Sequence, residues 1–392
     1  MRIGFYSPIS PPDIGGAHTF EKSVENCLFS GSRALLNEYV RLADYLPRSP
    51  LSEPAHRQLD LAEKWVRHAI WGTYPRIETH TSWRWRKAVK RSQVDAIWAC
   101  CPSVPTRELP YAIHMWDIQH RRQPFFPEVS VEGEWPERER RLGTLIQRAT
   151  FVFTGTEAGK EELRQYYGVE PCRIRLIPHP TPEIGSWTSE AELDKASCAF
   201  RERWGAYLFY PAQFWPHKNH VCLIDAIREL NERGRRYQLV LSGSDQGNAG
   251  YVLEYARKCG LASQVTSLGF VEQSTLPALY RGAHALVYPS FFGPENLPPL
   301  EAFEMQCPVV AGSVAGSECQ LGDAAILVDP TKPIEFADAV IQLEDPDTRT
   351  KYVLRGTARA QRYRSEDLVR DVDAAFAEFA PFRRTWRSAL RP

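Results

Sequence analysis

Two segments of the sequence place groups that can bind an anion in loops between a strand and a helix. In the first, an apolar strand ends at Tyr288, and a loop rich in Gly, Pro and Asn leads into a helix over about 298–306. Backbone N–H groups at a helix N-terminus bind phosphate, and Pro298 suits the first turn because its missing N–H is not needed there. Glu301 falls in that turn, where its carboxylate could accept hydrogen bonds from a ribose diol. An ordinary junction capped by Asn296 or a neighbour explains the same spacing equally well.

The second segment carries a lysine in a similar junction. The apolar strand 207–211 is followed by a loop with His217, Lys218 and His220, and then by a helix over about 221–233. A lysine in such a loop can neutralise the charge of a phosphate. The two histidines are three residues apart, but hydrogen bonding within the loop accounts for them better than a metal site does.

Two adjacent glycines, Gly15 and Gly16, follow the first strand, which spans residues 3–6. Glycine lets a backbone approach a ligand closely, and a helix is predicted over about 19–29. The loop lacks the GxGxxG spacing, so a dinucleotide site is not indicated. A tight turn against the sheet and a ligand-binding loop fit these residues equally well.

A third polar group, His114, Asp117 and His120, follows a strand that begins at Tyr111. The carboxyl ends of parallel strands form the ligand-binding edge of open α/β sheets, so these side chains are candidates for contact with a substrate. The HxxDxxH spacing is a weak metal signature, because the three residues do not obviously converge and a fourth ligand is not evident. We therefore predict no metal site.

Composition argues against several classes of protein. The 392 residues are too many for one ordinary core, and Lys+Arg and Asp+Glu both number 48, without the basic excess of a nucleic-acid binder. Nine cysteines without a CxxC pair favour reduced thiols, and hence the cytoplasm, over a disulfide framework. The chain begins directly with a strand and has no apolar run of about 18 residues, so we expect neither a signal peptide nor a membrane span.

Strands alternate with helices through both halves of the chain, which predicts an α/β protein with two facing, doubly wound parallel sheets. We place the first Rossmann-like domain at residues 1–185 and the second at residues 200–374. A C-terminal helix over about 375–392 is predicted to pack back on the first domain.

Two segments combine aromatic and basic residues, 83–91 and 383–387. This composition suits an anionic membrane surface or a charged acceptor. A solvated helix face with two packed tryptophans is the simpler explanation for residues 83–91. Attachment to the inner face of the cell membrane is therefore an expectation that these segments suggest without establishing it.

Together the motifs resemble those of the retaining GT-B glycosyltransferases of family four, which carry the glycosyltransferase group 1 domain. The matches occur in family order and cover nearly the whole chain; they lie at 15–16, 116–121, 126–130, 209–220 and 288–302. The resemblance implies two Rossmann-like domains with a cleft between them and a nucleotide diphosphate sugar as donor. It implies no metal and no other cofactor.

The resemblance also implies roles for individual residues. Lys218 would bind the donor diphosphate, Glu301 the ribose hydroxyls, and backbone N–H groups near Leu297 a phosphate. The other residues expected on the donor side are Gly15, Gly16, Gln213, Phe270, Val271, Glu295 and Asn296, of which Phe270 and Val271 would line the nucleobase pocket. The residues expected on the acceptor side are His18, Trp116 and His120. His114 and Asp117 join Lys218 as catalytic candidates that would position the acceptor hydroxyl.

Three positions depart from the family pattern. Gly293 stands where the family usually has a Glu that contacts the donor sugar, and Glu295 is offset from it by two residues. Gln213 stands where an Arg is common, and Trp116 replaces the His of a His–Asp pair. A family subgroup with Gly-Pro-x-Asn in this loop shares the first departure, which is therefore compatible with activity.

The implied function is retaining transfer of a hexose-type sugar from a UDP- or GDP-sugar to a glycan or lipid-linked acceptor, in bacterial surface polysaccharide synthesis. Attack on the face that the diphosphate leaves would retain the anomeric configuration without a protein nucleophile. Two alternatives stay open. One is a sugar-nucleotide or glycan binding protein without turnover, which the residues at 293 and 213 would fit. The other is a different GT-B enzyme, such as a phosphorylase or an epimerase.

Overall fold

The computed structural model describes residues 1–8, 10, 15–30, 34–47 and 83–386. Residues 387–392, which end the predicted C-terminal helix and the second basic-aromatic segment, lie outside these ranges. The described residues form twelve strands: β1 Arg2–Tyr6, β2 Glu38–Arg41, β3 Ala96–Ala99, β4 Tyr111–His114, β5 Phe151–Thr154, β6 Ile174–Leu176, β7 Tyr207–Pro211, β8 Gln238–Ser242, β9 Val265–Ser267, β10 Ala285–Tyr288, β11 Val309–Gly312 and β12 Ala325–Val328.

Helices connect the strands. The α-helices of the described residues are Gly16–Ser30, Trp83–Ser92, Gln119–Arg122, Pro127–Ser130, Glu134–Arg148, Glu157–Tyr167, Glu190–Trp204, His220–Glu232, Ala249–Lys258, Leu276–Gly282, Leu297–Glu304, Ser317–Leu321, Pro333–Gln342, Pro346–Ala360 and Ser365–Arg383. Short 3-10 turns lie at Leu42–Tyr45, Val131–Gly133, Pro171–Arg173, Ile184–Trp187, Pro216–Lys218 and Gly322–Ala324.

The strands form two six-stranded sheets, ordered β2-β1-β3-β4-β5-β6 and β12-β11-β10-β7-β8-β9. All neighbouring strands run parallel. Central strands such as β3 and β10 are buried along their whole length, as expected for parallel sheets with helices on both faces. The predicted α/β class with two doubly wound parallel sheets is confirmed.

We call the β1–β6 sheet with its flanking helices the N-terminal unit, and the β7–β12 sheet with its flanking helices the C-terminal unit. In the C-terminal sheet the strand order reverses between the neighbours β7 and β10. The chain leaves β7 toward β8 and leaves β10 toward β11, so the two loops diverge and open a crevice at the carboxyl edge. The loop after β7 contains Lys218 and the loop after β10 leads to Glu301, so both predicted segments meet at this crevice.

The last helix returns to the N-terminal unit, where it contacts the helix Gly16–Ser30. It spans Ser365–Arg383, and the Asp367 carboxylate caps its start by accepting a hydrogen bond from the Arg364 N–H at 2.9 Å. The boundaries given above for the two domains stay a prediction. Within the described ranges, no helix combines the length and the apolar character needed to cross a bilayer.

The chain crosses between the two units at two places that lie side by side. The first crossing follows β6, and the second precedes the helix Ser365–Arg383. The Thr181 N–H of the first crossing donates to the Tyr363 carbonyl of the second at 3.0 Å. The two crossings are therefore joined directly by a backbone hydrogen bond.

Candidate functional site

A cavity of about 300 Å³ lies between the two units, at the carboxyl edges of both sheets. Ten residues predicted for the donor side line this cavity: Gly15, Gly16, Gln213, Lys218, Phe270, Val271, Glu295, Asn296, Leu297 and Glu301. They come from loops after β1, β7, β9 and β10. The structure therefore brings together residues that are far apart in the sequence, from Gly15 to Glu301.

Lys218 ends the short turn Pro216–Lys218, directly after the loop that follows β7. Its ammonium donates to the neutral phenol of Tyr288, with Nζ 3.1 Å from Oη, rather than to a carboxylate. The next residue, Asn219, has φ 55° and donates from Nδ2 to the carbonyls of Pro289 and Pro330, at 3.3 and 2.7 Å. These contacts hold the lysine at the cavity wall with a positive charge available to an anion.

The donor-side loop after β10 is held by a relay of hydrogen bonds that starts at the lysine. Tyr288 Oη donates to Asn296 Oδ1 at 2.9 Å, and Asn296 Nδ2 donates to the Gly293 carbonyl at 2.9 Å. The Asn296 side chain therefore folds back over the loop and does not cap the helix, although Asn296 occupies the N-cap position.

Gly293 is required by this arrangement. Its φ is 131°, and a Cβ at this position would lie 2.5 Å from the Asn296 side-chain amide. A side chain at position 293 and the observed Asn296 conformation therefore exclude each other. This explains why the sequence lacks a Glu at position 293.

The helix Leu297–Glu304 begins at the cavity wall with two prolines, Pro298 and Pro299. Neither proline has an N–H, so Leu297 alone of the first three helical residues retains one. The Asn296 N–H is already used, because it donates to Gln320 Oε1 at 2.9 Å. The anion-binding capacity of this helix end therefore rests on the Leu297 N–H and the partial positive charge of the helix dipole.

Glu301 lines the cavity, although only 5% of the residue is exposed to solvent. Tyr280 Oη donates to Glu301 Oε2 at 2.6 Å. Burial raises the pKa of the Glu301 carboxyl to about 7, although the hydrogen bond from Tyr280 acts to lower it. When the carboxyl is ionised, its second oxygen can accept a hydrogen bond from a hydroxyl group of a ligand.

The loops after β8 and β9 also line the cavity, and these two strands lie on the side of β7 away from β10. Gly243, in the loop after β8, has φ 147°, and a Cβ there would lie 2.2 Å from the carbonyl oxygen of Ala212 in the loop after β7, so glycine is needed for these two loops to approach so closely. Gln213 donates from Nε2 to Ser244 Oγ at 2.9 Å. Phe270 is 49% exposed and presents an aromatic face that a nucleobase could stack on.

The N-terminal unit closes the other side of the cavity. A Cβ at Gly16 would lie 3.7 Å from Leu297 Cδ1, so the starts of two helices, one from each unit, face each other. Trp116, Phe20 and His179 line the same side, with the Phe20 and His179 rings 4.7 Å apart between centroids. Trp116, which replaces the His of the His–Asp pair described above, therefore presents its indole ring to the cavity.

Four predicted acceptor-side or catalytic residues do not line the cavity. His114 is 2% exposed and lies in an aromatic cluster with Phe20 and Phe153. Burial lowers the pKa of His114 to about 3, so its imidazole is neutral. His114 is therefore placed behind the cavity wall in this arrangement, and its role in positioning an acceptor hydroxyl stays a prediction.

His120 is fully buried, with Nε2 2.7 Å from Glu139 Oε1 and 3.1 Å from Tyr167 Oη. The short helix Gln119–Arg122 turns the ring into the protein and away from the cavity, and the acceptor-side role of His120 stays a prediction. Asp117 Oδ1 accepts from the Gln119 N–H at 3.0 Å. The HxxDxxH residues therefore have separate partners, and the described residues include no cluster of three metal-ligating side chains.

His18, the fourth of these residues, lies in the first turns of the helix Gly16–Ser30. Its Nδ1 is 2.7 Å from the Ser10 carbonyl oxygen, and the residue is 7% exposed. The contact ties the helix start to the preceding loop, close to the glycines that line the cavity. Its imidazole therefore supports the wall of the cavity without forming it.

Sequence reasoning missed two contacts between the units, although it had named Glu295 for the donor side. Glu128 of the N-terminal unit contacts His217 of the C-terminal unit, with Oε1 2.5 Å from Nδ1. Glu295 of the C-terminal unit accepts a hydrogen bond from the His179 N–H at 2.7 Å. The motif 126–130 and the prolines around His179 marked both segments, but a single sequence does not show which distant residue each one meets.

Two facing parallel sheets that share a ligand cavity at their carboxyl edges define the GT-B fold. A solved structure of this class, the Anabaena protein HepE in complex with UDP and glucose, covers 96% of this chain and is itself covered completely, with a TM-score of 0.66 and 17% identity. Residues 202–359 match the family model of the glycosyl transferases group 1. The recognition of the group 1 glycosyltransferase domain is thereby confirmed for this part of the chain.

Two curated relatives are similar to more than half of the chain. The O-antigen chain mannosyltransferase B of Escherichia coli is 26% identical over 243 residues, which are 62% of this chain and 64% of that protein. A D-inositol 3-phosphate glycosyltransferase of Acidothermus cellulolyticus is 26% identical over 275 residues, 65% of this chain and 60% of that protein. The chain thus spans less than two thirds of the length of these relatives.

Proposed function

We propose that this protein is a retaining glycosyltransferase that moves a hexose-type sugar from a nucleotide diphosphate sugar to a glycan or lipid-linked acceptor. The observation that carries the proposal is the convergence of Lys218, the Leu297 helix start and Glu301 on one cavity. These groups match the diphosphate and the ribose of a sugar nucleotide, and the cavity volume lies at the lower end of the ~300–1,000 Å³ typical of ligand pockets.

The C-terminal unit would hold the donor. The Lys218 ammonium and the Leu297 N–H would bind the diphosphate, Glu301 would accept hydrogen bonds from the ribose, and Phe270 with Val271 would flank the base. The solved HepE structure contains UDP, and either a UDP- or a GDP-sugar fits this assignment. The named mannosyltransferase relative acts on O-antigen chains, which supports a role in bacterial surface polysaccharide synthesis.

The chemistry follows from where charge develops. As the bond between the anomeric carbon and the diphosphate breaks, negative charge grows on the phosphate oxygens beside Lys218 and Leu297. Preorganised donors of this kind stabilise such charge without reorganisation. The acceptor hydroxyl attacks from the same face and gives its proton to the departing diphosphate, so the anomeric configuration is retained without a protein nucleophile.

The first experiment is a screen of nucleotide sugars by thermal shift, followed by a transfer assay with the donor that stabilises the protein. We expect Lys218→Ala to lower kcat about 100- to 1,000-fold, because one charged donor to the leaving group is lost. Lys218→Arg is the matched variant, since it keeps the charge and should retain more activity than Lys218→Ala. Near-normal turnover by a folded Lys218→Ala protein would refute the assignment.

The rival function is a sugar-nucleotide binding protein without turnover. It is favoured by Gln213, whose amide is held by Ser244 Oγ and by the Trp215 indole N–H at 3.0 Å and adds no positive charge to the cavity. This alternative predicts saturable binding of a nucleotide sugar without nucleotide release for any acceptor tested. The same transfer assay separates the two functions.

A further inference from the structure

Two carboxylates cross between the units in opposite directions, and each contacts a histidine of the other unit. Glu128, from the N-terminal unit, accepts from the His217 N–H at 3.2 Å and lies 2.5 Å from His217 Nδ1. Glu295, from the C-terminal unit, accepts from the His179 N–H at 2.7 Å, and its other oxygen lies 3.9 Å from His179 Nε2. Both histidines lie in loops at the cavity, since His179 lines it and His217 precedes Lys218.

Both carboxylates are almost entirely removed from water. The side chains of Glu128 and Glu295 are 5% and 4% exposed. A buried carboxylate is unfavourable unless hydrogen bonds replace its hydration. Here the other unit supplies hydrogen bonds to Oε1 of Glu128 and Oε1 of Glu295, whereas Oε2 of Glu128 is buried without a partner among the described residues. Burial acts to raise the pKa of Glu128, but the contacts with His217 bring it below its ordinary value, so the carboxylate is ionised. These contacts therefore favour the state in which the two units are closed on each other.

Gly155 gives an independent indication that the Glu295 contact is a built feature. A Cβ at position 155 would lie 1.9 Å from the Glu295 carboxylate. The carboxylate thus occupies a space at the start of the helix Glu157–Tyr167 that exists because residue 155 has no side chain. Gly155 itself does not line the cavity. A substitution at this position therefore disturbs the Glu295 contact without changing a residue of the donor site.

The Glu128 contact is reinforced by its neighbours. Gln123 Nε2 donates to the Phe291 carbonyl at 2.9 Å, and the Phe126 and Phe291 rings stack with centroids 6.0 Å apart. Phe291 in turn donates from its N–H to the His217 carbonyl at 2.9 Å. The segment that precedes Lys218 is therefore held by the N-terminal unit and by the loop after β10 together.

We propose that Glu128 and Glu295 are positioning residues for sugar transfer, each fixing from one unit a cavity loop of the other. Glu128 fixes the segment that ends at Lys218, and Glu295 fixes the His179 segment on the acceptor side. The inference rests on the proposed function, because it assigns these residues to the closed arrangement in which transfer occurs. The nucleotide is assigned above to Lys218, Leu297, Glu301, Phe270 and Val271. The Glu295 carboxylate, which the sequence places on the donor side, is held by His179 instead and is 4% exposed, so nucleotide binding and turnover should respond differently to substitution of either carboxylate.

The test uses three variants of the full chain: Glu128→Gln, Glu295→Gln and Gly155→Ala. We expect kcat to fall about 10-fold or more in each, while the Kd for the free nucleoside diphosphate changes less than about threefold. Glu132→Gln, an exposed residue near Glu128, and Gly143→Ala, where an added Cβ meets nothing within 4 Å, are matched controls that should behave as wild type. The double variant of Glu128→Gln with His217→Asn should lower kcat by less than the product of the two single-variant reductions, because both substitutions remove the same contact.

Two results would overturn the proposal. One is an unchanged kcat in all three variants. The other is a parallel loss of kcat, nucleotide affinity and Tm, which would indicate general damage to the fold. If wild type binds a nucleotide sugar but transfers nothing, the proposed function fails. The closure of the two units is then measured by small-angle X-ray scattering of the nucleotide-bound proteins. A larger radius of gyration in the variants than in wild type then supports the positioning role, and equal radii refute it.

Discussion

At the scale of single residues, Glu301 combines a buried position with contact to the cavity. Its carboxyl is held by the Tyr280 phenol at 2.6 Å and has a pKa of about 7. Near neutral pH a small change in surroundings therefore decides whether the group is charged. Ribose hydroxyl groups donate hydrogen bonds to a carboxylate, so a bound nucleotide should favour the ionised form.

The pH dependence of stability tests this assignment. The folded pKa of about 7 lies above the ordinary value of 4.5, so the folded protein binds more protons than the unfolded chain between these values. The stabilisation is complete below about pH 4.5 and is lost as the pH rises through 7. Relative to Glu301→Gln, the free energy of unfolding of wild type should fall by roughly 2 kcal/mol between pH 5 and pH 8.

Urea unfolding of both proteins at several pH values measures this difference, and the histidines common to both cancel. Addition of the nucleoside diphosphate should flatten the difference, because it stabilises the ionised carboxyl. Parallel profiles for wild type and Glu301→Gln would show that the group titrates normally.

The sequence predicted which residues of the donor side line the cavity, whereas of the three acceptor-side candidates only Trp116 lines it. Each donor-side residue follows a parallel strand, so the carboxyl edge of a sheet collects them whatever the details of the loops. His114 and His120 also follow a strand, but their spacing does not reveal that both rings turn inward. The Glu128–His217 contact joins residues 89 positions apart in different units, and one sequence contains no signal for such a pair.

At the scale of elements, the junction between β7 and the helix His220–Glu232 determines where Lys218 lies. Asn219 forms this junction with a left-handed backbone, φ 55°, and two side-chain hydrogen bonds to carbonyl groups. Asn is among the residues that tolerate this conformation, and its amide supplies the donors that the two loops need. The lysine and the helix could be predicted from the sequence, whereas the left-handed turn is evident only in the structure.

Two substitutions separate the effects of Asn219. Asn219→Gly keeps the backbone conformation and removes the two hydrogen bonds, which should cost about 1–3 kcal/mol of stability. Asn219→Ala loses the same bonds and adds about 1 kcal/mol of strain from the left-handed backbone. Urea unfolding measures both free energies. Equal stability of the Ala and Gly variants would contradict the backbone argument.

At the scale of the whole molecule, the C-terminal helix connects the end of the described chain to its beginning. The Asp373 carboxylate is buried and accepts from the Leu36 N–H at 2.6 Å, the Asn37 N–H at 3.1 Å and the Tyr39 phenol at 3.0 Å. Asn37 Nδ2 adds a further hydrogen bond at 2.8 Å. The helix thus stabilises the edge strand β2 of the N-terminal sheet, which precedes the undescribed residues 48–82.

Asp373→Ala should therefore lower the free energy of unfolding by about 3 kcal/mol, because buried donors lose their acceptor. Asp373→Asn keeps one acceptor oxygen, so its free energy of unfolding should lie between those of Asp373→Ala and wild type. Hydrogen exchange locates the effect, since the Leu36 and Asn37 amides should exchange faster in Asp373→Ala. A loss of stability without faster exchange at these amides would place the effect elsewhere.

The paired crossings at Thr181 and Tyr363 restrict how the two units can move. A single flexible linker would allow the two units to rotate about three axes. Two adjacent chain segments joined by a hydrogen bond define one hinge axis instead. Opening is then confined largely to one rotation, and each closure returns the same two faces to the same alignment. In the proposed transfer reaction, successive turnovers would therefore begin from the same relative orientation of the two units, without a search through other orientations.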